Sequence, residues 1–247
     1  MNVFRPLQAN VFGWGVAVAL ALVSPALAGA VRIQPVTLDL PAPTSTGTLT
    51  LRNEGRQPMT VQTRIFSWTQ DGGDTDVLQP TKDVVVSPPS VTLRPGSDYV
   101  LRVVRTTKMA VTGQETYRVL VDELPDPARM QSGRVSLLIR QSIPVFFTAP
   151  EATRAQVSWS VSLSHGKLVL KAENTGMQRL KLTDLAVRTA DGTVISQQGG
   201  LAGYVLGGSS RTWQLKPRLN VGVGSAVILT ASGDGRVINV RTQIQNR

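Results

Sequence analysis

What most limits the folds open to this chain is a two-residue rhythm of apolar side chains, delivered in short runs and broken by proline and glycine. The clearest run is Arg134-Val-Ser-Leu-Leu-Ile-Arg-Gln-Ser-Ile-Pro-Val-Phe-Phe147. Successive side chains of an extended strand point to opposite faces. Val135, Leu137 and Ile139 therefore share one face, and Arg134, Ser136, Leu138 and Arg140 share the other. An aliphatic face backed by a mostly polar one is the pattern of a strand buried on one side. Pro144 has no backbone donor, so the run must bend, bulge or lie at an edge there. Two readings stay open: a core strand of the molecule's own sandwich, or a strand whose aliphatic row is lent to another protein.

The same rhythm recurs along the chain. Val31 to Leu40 alternates, with Pro35 marking an edge or a switch between sheets. Thr48 to Arg52 and Val61 to Trp68 follow, and the polar stretch from Gln70 to Asp76, with Gly72-Gly73, reads as a solvated hairpin tip. A strand from Val84, the Pro88-Pro89 break, a step through Val91 and Leu93, the Pro95-Gly96 turn, a strand to Arg105 and another over Tyr117 to Pro125 complete the first half. After Thr148-Ala-Pro150 the pattern restarts, punctuated by Asn174-Thr-Gly176, Asp191-Gly192, Gly207-Gly208 and Asp234-Gly235. No segment holds a helical period over ten or more residues. Short strands with closely spaced turn signals predict an all-β chain of two sandwich or barrel domains, divided near residue 150.

The first residues read as an export signal. Arg5 precedes an apolar run from Val11 to Val23, and Pro25-Ala-Leu-Ala28 supplies the small residues of a cleavage site. The run is shorter than the roughly 20 residues of a membrane-spanning helix. The expected division is a signal peptide over 1–28, one domain over 29–149 and a second over 150–247. No stable membrane insertion is expected, and the chain has no cysteine for disulfides, thiol catalysis or thiolate metal sites. The net charge of +10 admits an anionic partner, but the basic residues are scattered and aromatics make up only 5% of the chain. That is a poor base-stacking surface, so nucleic acid is not the expected partner. The alternative function that charge leaves standing is an exported basic sandwich that binds an anionic polymer or surface.

Catalytic chemistry is hard to find. The one histidine, His165, sits between Ser164 and Gly166 in an expected surface turn. Without a second histidine or a cysteine, neither a zinc site nor a Cys–His pair can be assembled. Asp71, Asp74 and Asp76 lack the bidentate glutamate of a calcium loop. Gly199-Gly200 and Gly207-Gly208 precede no helix and are not phosphate cradles. No cofactor, no metal and no enzymatic activity are expected.

Taken in order, several segments resemble the periplasmic chaperones of the chaperone–usher pathway, the PapD-like proteins that fold and cap pilus subunits. They are Thr48-Leu-Thr-Leu-Arg-Asn-Glu-Gly55, Pro88-Pro-Ser-Val-Thr-Leu-Arg-Pro-Gly96 with Leu101-Arg102-Val103, Glu123-Leu-Pro125 closing the strand from Tyr117, and Ile143-Pro-Val-Phe146. Asn174-Thr-Gly176 and Gly203-Tyr-Val-Leu206 extend the likeness into the second half. The Ile143-Pro-Val-Phe146 form is similar to the archaic, spore-coat-type branch. The resemblance implies two immunoglobulin-like β-sandwich domains set at an angle, and a periplasmic location. It implies pilus or fibre subunits as clients, donor-strand complementation by Val135, Leu137 and Ile139, and an outer-membrane usher as the next partner. An unoccupied edge of this kind can also pair with a second copy. Better-known members hold the subunit's terminal carboxylate with two basic residues in the interdomain cleft, where this chain has Thr37 and Pro144. Arg102, Arg105 and Arg140 are the nearest basic candidates, since a guanidinium grips a carboxylate with two hydrogen bonds. Thr148 stands where an arginine of the family's interdomain charge network is usual.

Overall fold

A computed structural model describes residues 31–126 and 137–246, and these contain strands and turns but no helix. The expected signal segment and Val135 lie outside the described residues. Ten strands precede residue 149: β1 (Val31–Gln34), β2 (Leu38–Pro41), β3 (Thr46–Asn53), β4 (Met59–Gln70), β5 (Asp76–Pro80), β6 (Val84–Ser87), β7 (Ser90–Leu93), β8 (Asp98–Arg105), β9 (Gln114–Glu123) and β10 (Arg140–Thr148). They form two facing sheets, ordered β1-β3-β8-β6 and β2-β10-β9-β4-β5, with β7 added on β4. Leu49, Leu51, Leu101 and Val103 on the first sheet pack against Val119, Val121, Val145 and Phe147 on the second, all essentially inaccessible to solvent. Each set is spaced by two, as a sandwich core requires. Pro35 lies where the chain leaves one sheet for the other: β1 pairs with β3, whereas β2 pairs with β10.

Seven further strands form the second sandwich: β11 (Val157–Ser164), β12 (Lys167–Asn174), β13 (Leu180–Thr189), β14 (Val194–Val205), β15 (Ser210–Leu215), β16 (Ala226–Gly233) and β17 (Arg236–Asn246). Their order is β14-β13-β16-β17-β11-β12-β15. The layers share β17, which pairs with β16 along Arg236–Gln243 and crosses to β11 at Ile244–Asn246. Leu168, Leu170, Leu182, Leu185, Ile195 and Leu229 fill this second core. Asp234 and Gly235 turn β16 into β17 with φ of 44° and 77°, the left-handed pair a tight hairpin demands.

The strand ending at Phe147 is shorter at its start than its apolar pattern suggests. Among the described residues it enters the ladder at Arg140: residues 137–139 lie outside any strand, and the partner strand β9 ends at Glu123. The loop over Asp71 to Asp76 also differs from expectation. It is not a solvated tip: Gly72 and Gly73 accept hydrogen bonds from Thr212 of β15. Leu101→Ala removes a wholly buried side chain from the first core and is expected to cost about 2–5 kcal/mol. Urea unfolding measures that loss.

Candidate functional site

β10 has two unlike halves. Along one side it is paired with β9 throughout. On its other side β2 covers Val145–Thr148, and among the described residues no strand neighbours Arg140–Pro144 there. Pro144 falls at the boundary, where a missing backbone donor is least costly. The inward face of β10 carries Ile143, Val145 and Phe147, all buried. Counting back by twos along the same face gives Gln141, Ile139 and Leu137. Gln141 Nε2 donates to the Val31 carbonyl at 2.6 Å, which joins the two sheets at the rim of the core. Beyond that rim Ile139 is half-buried and Leu137 is 77% exposed. By spacing the apolar row continues the core-facing positions of β10, into residues that precede the strand and become exposed at Leu137.

Glu123 fastens the root of this row. Its backbone N–H donates to the Ile139 carbonyl at 3.1 Å. Burial raises the pKa of its carboxyl, offset in part by a hydrogen bond from the Ile139 backbone. Asp122, the next residue back, faces outward and accepts from both Arg140 and Arg64. Burial alone would raise the Asp122 pKa, but the two guanidinium hydrogen bonds outweigh it and hold the carboxyl below its ordinary range.

The three arginines singled out from the sequence are not brought together. Arg102 is exposed on the outer face of the first sheet, between the buried Leu101 and Val103. Arg105 is engaged by Glu115 through two hydrogen bonds of 2.8 and 2.7 Å, a latch between the two sheets. That bond raises the Arg105 pKa despite its burial. Arg140 lies beside the open edge, held by Asp122. The cations lining the cleft between the sandwiches come instead from β13 and the residue before it. Arg179 and Lys181 border a depression of about 370 Å3 with Thr37, Asp39 and Asp234, and Arg179 pairs with Asp39 at 2.8 Å. Local sequence carried no signal for them, because both lie in the second half of the chain.

The outward face of β10 meets the second sandwich. Phe146 packs with Trp68 of β4 and with Tyr204 and Leu206 of the β14 end, and all four are buried. Two guanidiniums cover the ring cluster, Arg118 at 3.7 Å from the Trp68 centroid and Arg179 at 3.9 Å from that of Phe146. Burial lowers the Arg118 pKa, and the Asp76 carboxylate opposes that shift. Asp76 binds both Arg118 and Arg211, at 3.3 and 2.7 Å. Gln70 bonds the backbone of Tyr204 and Leu206, and Gln114 bridges Thr148 Oγ1 to the Arg179 N–H. Thr148 in place of the usual arginine puts a charged network between the domains in doubt; charges are nonetheless paired there, through Asp76 of the hairpin at 71–76 with Arg118 and Arg211. His165 sits in an exposed turn, and no cluster of metal-ligating side chains occurs among the described residues.

Residues 30–153 match the family model described as the pili and flagellar-assembly chaperone, PapD N-terminal domain. The chain belongs to that family of pilus-assembly chaperones, and it is not an enzyme. Its fold is similar to that in the crystal structure of the CsuC–CsuE chaperone–tip adhesion subunit pre-assembly complex from the archaic chaperone–usher Csu pili of Acinetobacter baumannii. That likeness has a TM-score of 0.66 at 22% identity, covering 89% of this chain and 100% of the other. It is also similar to the Escherichia coli chaperone DraB, with a TM-score of 0.58 at 22% identity over 87% and 96% of the two chains. The Pseudomonas aeruginosa CupB2 chaperone gives a TM-score of 0.56 at 17% identity over 86% and 100%. No curated protein matched the chain.

Asp76→Ala strands two largely buried guanidiniums between the sandwiches. The expected loss is about 3 kcal/mol in urea unfolding, with a change in Trp68 fluorescence. Asp122, with its depressed pKa, contributes stability that is full above its unfolded value of 3.8 and lost as pH falls through the folded one. Asp122→Asn should therefore flatten the acid limb of a stability–pH curve below about pH 4.

Proposed function

We propose that this protein is a periplasmic chaperone that completes pilus or surface-fibre subunits with its own β10 strand and then passes them to an outer-membrane usher. One observation carries the reading: Leu137 continues the core-facing row of β10 yet is 77% exposed. Strand addition requires an edge with free backbone groups and an alternating row of side chains. Arg140–Pro144 has the first, and Val135, Leu137 and Ile139 are the second. A subunit lacking one strand exposes a hydrophobic groove between two unpaired edges, which aggregates readily. Filling it with three aliphatic side chains contributes roughly 1.5–3 kcal/mol each before ordering costs.

The structural likeness to a chaperone held in a pre-assembly complex with a tip subunit supports the same use of this chain. Arg140 is the best placed of the three arginines to meet a client along the edge, while Arg105 is already committed to Glu115. Arg179 and Lys181 offer a second set of cations in the cleft where a client's terminal carboxylate would enter.

Leu137→Asp places a charge on the exposed row without touching the core. The variant should stay within about 0.5 kcal/mol of the parent in stability. In periplasmic extracts the small β-rich protein that co-purifies with the parent chain should fall to background with the variant. Undiminished recovery would count against the reading.

A further inference from the structure

The second sandwich has an unfilled edge of its own. β11 is paired with β12 over its full length, but on its other side it meets β17 only at Val161–Leu163. β17 is paired with β16 over Arg236–Gln243, and among the described residues no strand lies along the opposite side of that run. The two strands run parallel, touch at one end and splay apart at the other. The space between them is an open groove of about 690 Å3, bordered by Arg154, Trp159, Arg179, Arg236, Val237 and Val240. Trp159, Ile238 and Val240 are partly buried against the second core and give the groove an apolar floor. Val237 at its lip is 83% exposed.

The charge around this groove is one-sided. Arg154 and Arg236 are exposed and belong to none of the ion pairs found among the described residues. Arg179 has a buried Nε with no hydrogen-bond partner. Asp234 is the one acidic residue on the border. Residues 150–247 hold twelve lysines and arginines against five acidic residues, so this part of the chain carries +7 of the total +10.

We propose that this groove is a strand-addition site separate from β10, and that its occupant is an extended acidic segment of a partner protein. Such a segment pairs its backbone with the free side of β17. Apolar side chains at alternate positions rest on Trp159, Ile238 and Val240; Arg236 begins that same face of β17 and Arg154 borders the groove with it, so carboxylates at the ends of the segment meet these two cations at the rim. A second copy of this chain is a poor occupant, since docking would bring two strongly basic surfaces together. A nucleic acid has the charge but cannot satisfy a strand edge or an aliphatic floor.

The probe is an eight-residue peptide alternating valine and aspartate, capped at both ends, titrated calorimetrically into the full chain. Saturable binding is expected, with slowed hydrogen exchange in β17. The double variant Arg154→Glu, Arg236→Glu should weaken binding at least about tenfold. N-methylating alternate peptide amides should do the same with the parent protein, which keeps the test decisive even if the variant does not fold. Leu137→Asp should leave binding unchanged. Absence of saturation overturns the proposal, as does binding that survives N-methylation or that disappears with Leu137→Asp.

Discussion

The structure depends on one property of extended chains: side-chain direction repeats every two residues whether or not anything lies opposite. On β10 the inward face carries Phe147, Val145 and Ile143 inside the molecule, and the same two-residue count, carried back past the strand's start, reaches the half-buried Ile139 and the exposed Leu137. On the proposed reading, no bend or special residue is needed to make the strand useful to a partner. It is enough that the facing sheet ends first. The rim is marked by two polar groups on the same face, Gln141 bridging to Val31 and Glu123 holding the Ile139 backbone. They close the molecule's own core without covering Leu137, and on the proposed reading a guest begins where the host ends.

The opposite face of the same strand explains why the second sandwich matters to the first. Phe146 points away from the core and would be an exposed aromatic on an open sheet. Instead Trp68, Tyr204 and Leu206 surround it, with cations at two sides. A cation over a ring adds electrostatic attraction to burial, and more so where water is excluded. Arg118, Asp76 and Arg211 extend this contact as a line of charge. The end of β10 proposed to be lent is thus continuous with a strand gripped on both faces, and ordering that end for a guest would cost less than on a free loop.

Much of this could be read from the residues alone, for reasons that differ by element. Alternation and proline gave the strands, the switch at Pro35 and the edge at Pro144, because each follows from local backbone chemistry. The spacing of Val135, Leu137 and Ile139 suggested the row, of which Val135 lies outside the described residues, but not where the ladder stops, since that depends on β9 ending at Glu123. The cleft cations were not legible. Arg179 reaches Asp39 only because two sandwiches meet, and no short-range pattern encodes a contact between such distant segments. The hairpin at 71–76 misled for the same reason: its composition is that of a solvated tip, yet Thr212 and Arg211 dock on it.

Every open sandwich has edges, and most must be made unattractive to other chains. β10 is protected differently along its length. Its covered half has β2 as a neighbour, and its outward face at the open half carries Arg140 and Ser142, polar groups that discourage stacking on the sheet. What remains attractive is the proposed row itself, and on that reading it is satisfied by a partner with a groove the width of one missing strand. A flat hydrophobic surface would cover Leu137 but leave the backbone of residues 140–144 unpaired, and the cost of those unmade hydrogen bonds rejects it. On the proposed reading, selectivity for unfinished sandwiches over other sticky surfaces therefore comes from requiring backbone and side chains to be satisfied together.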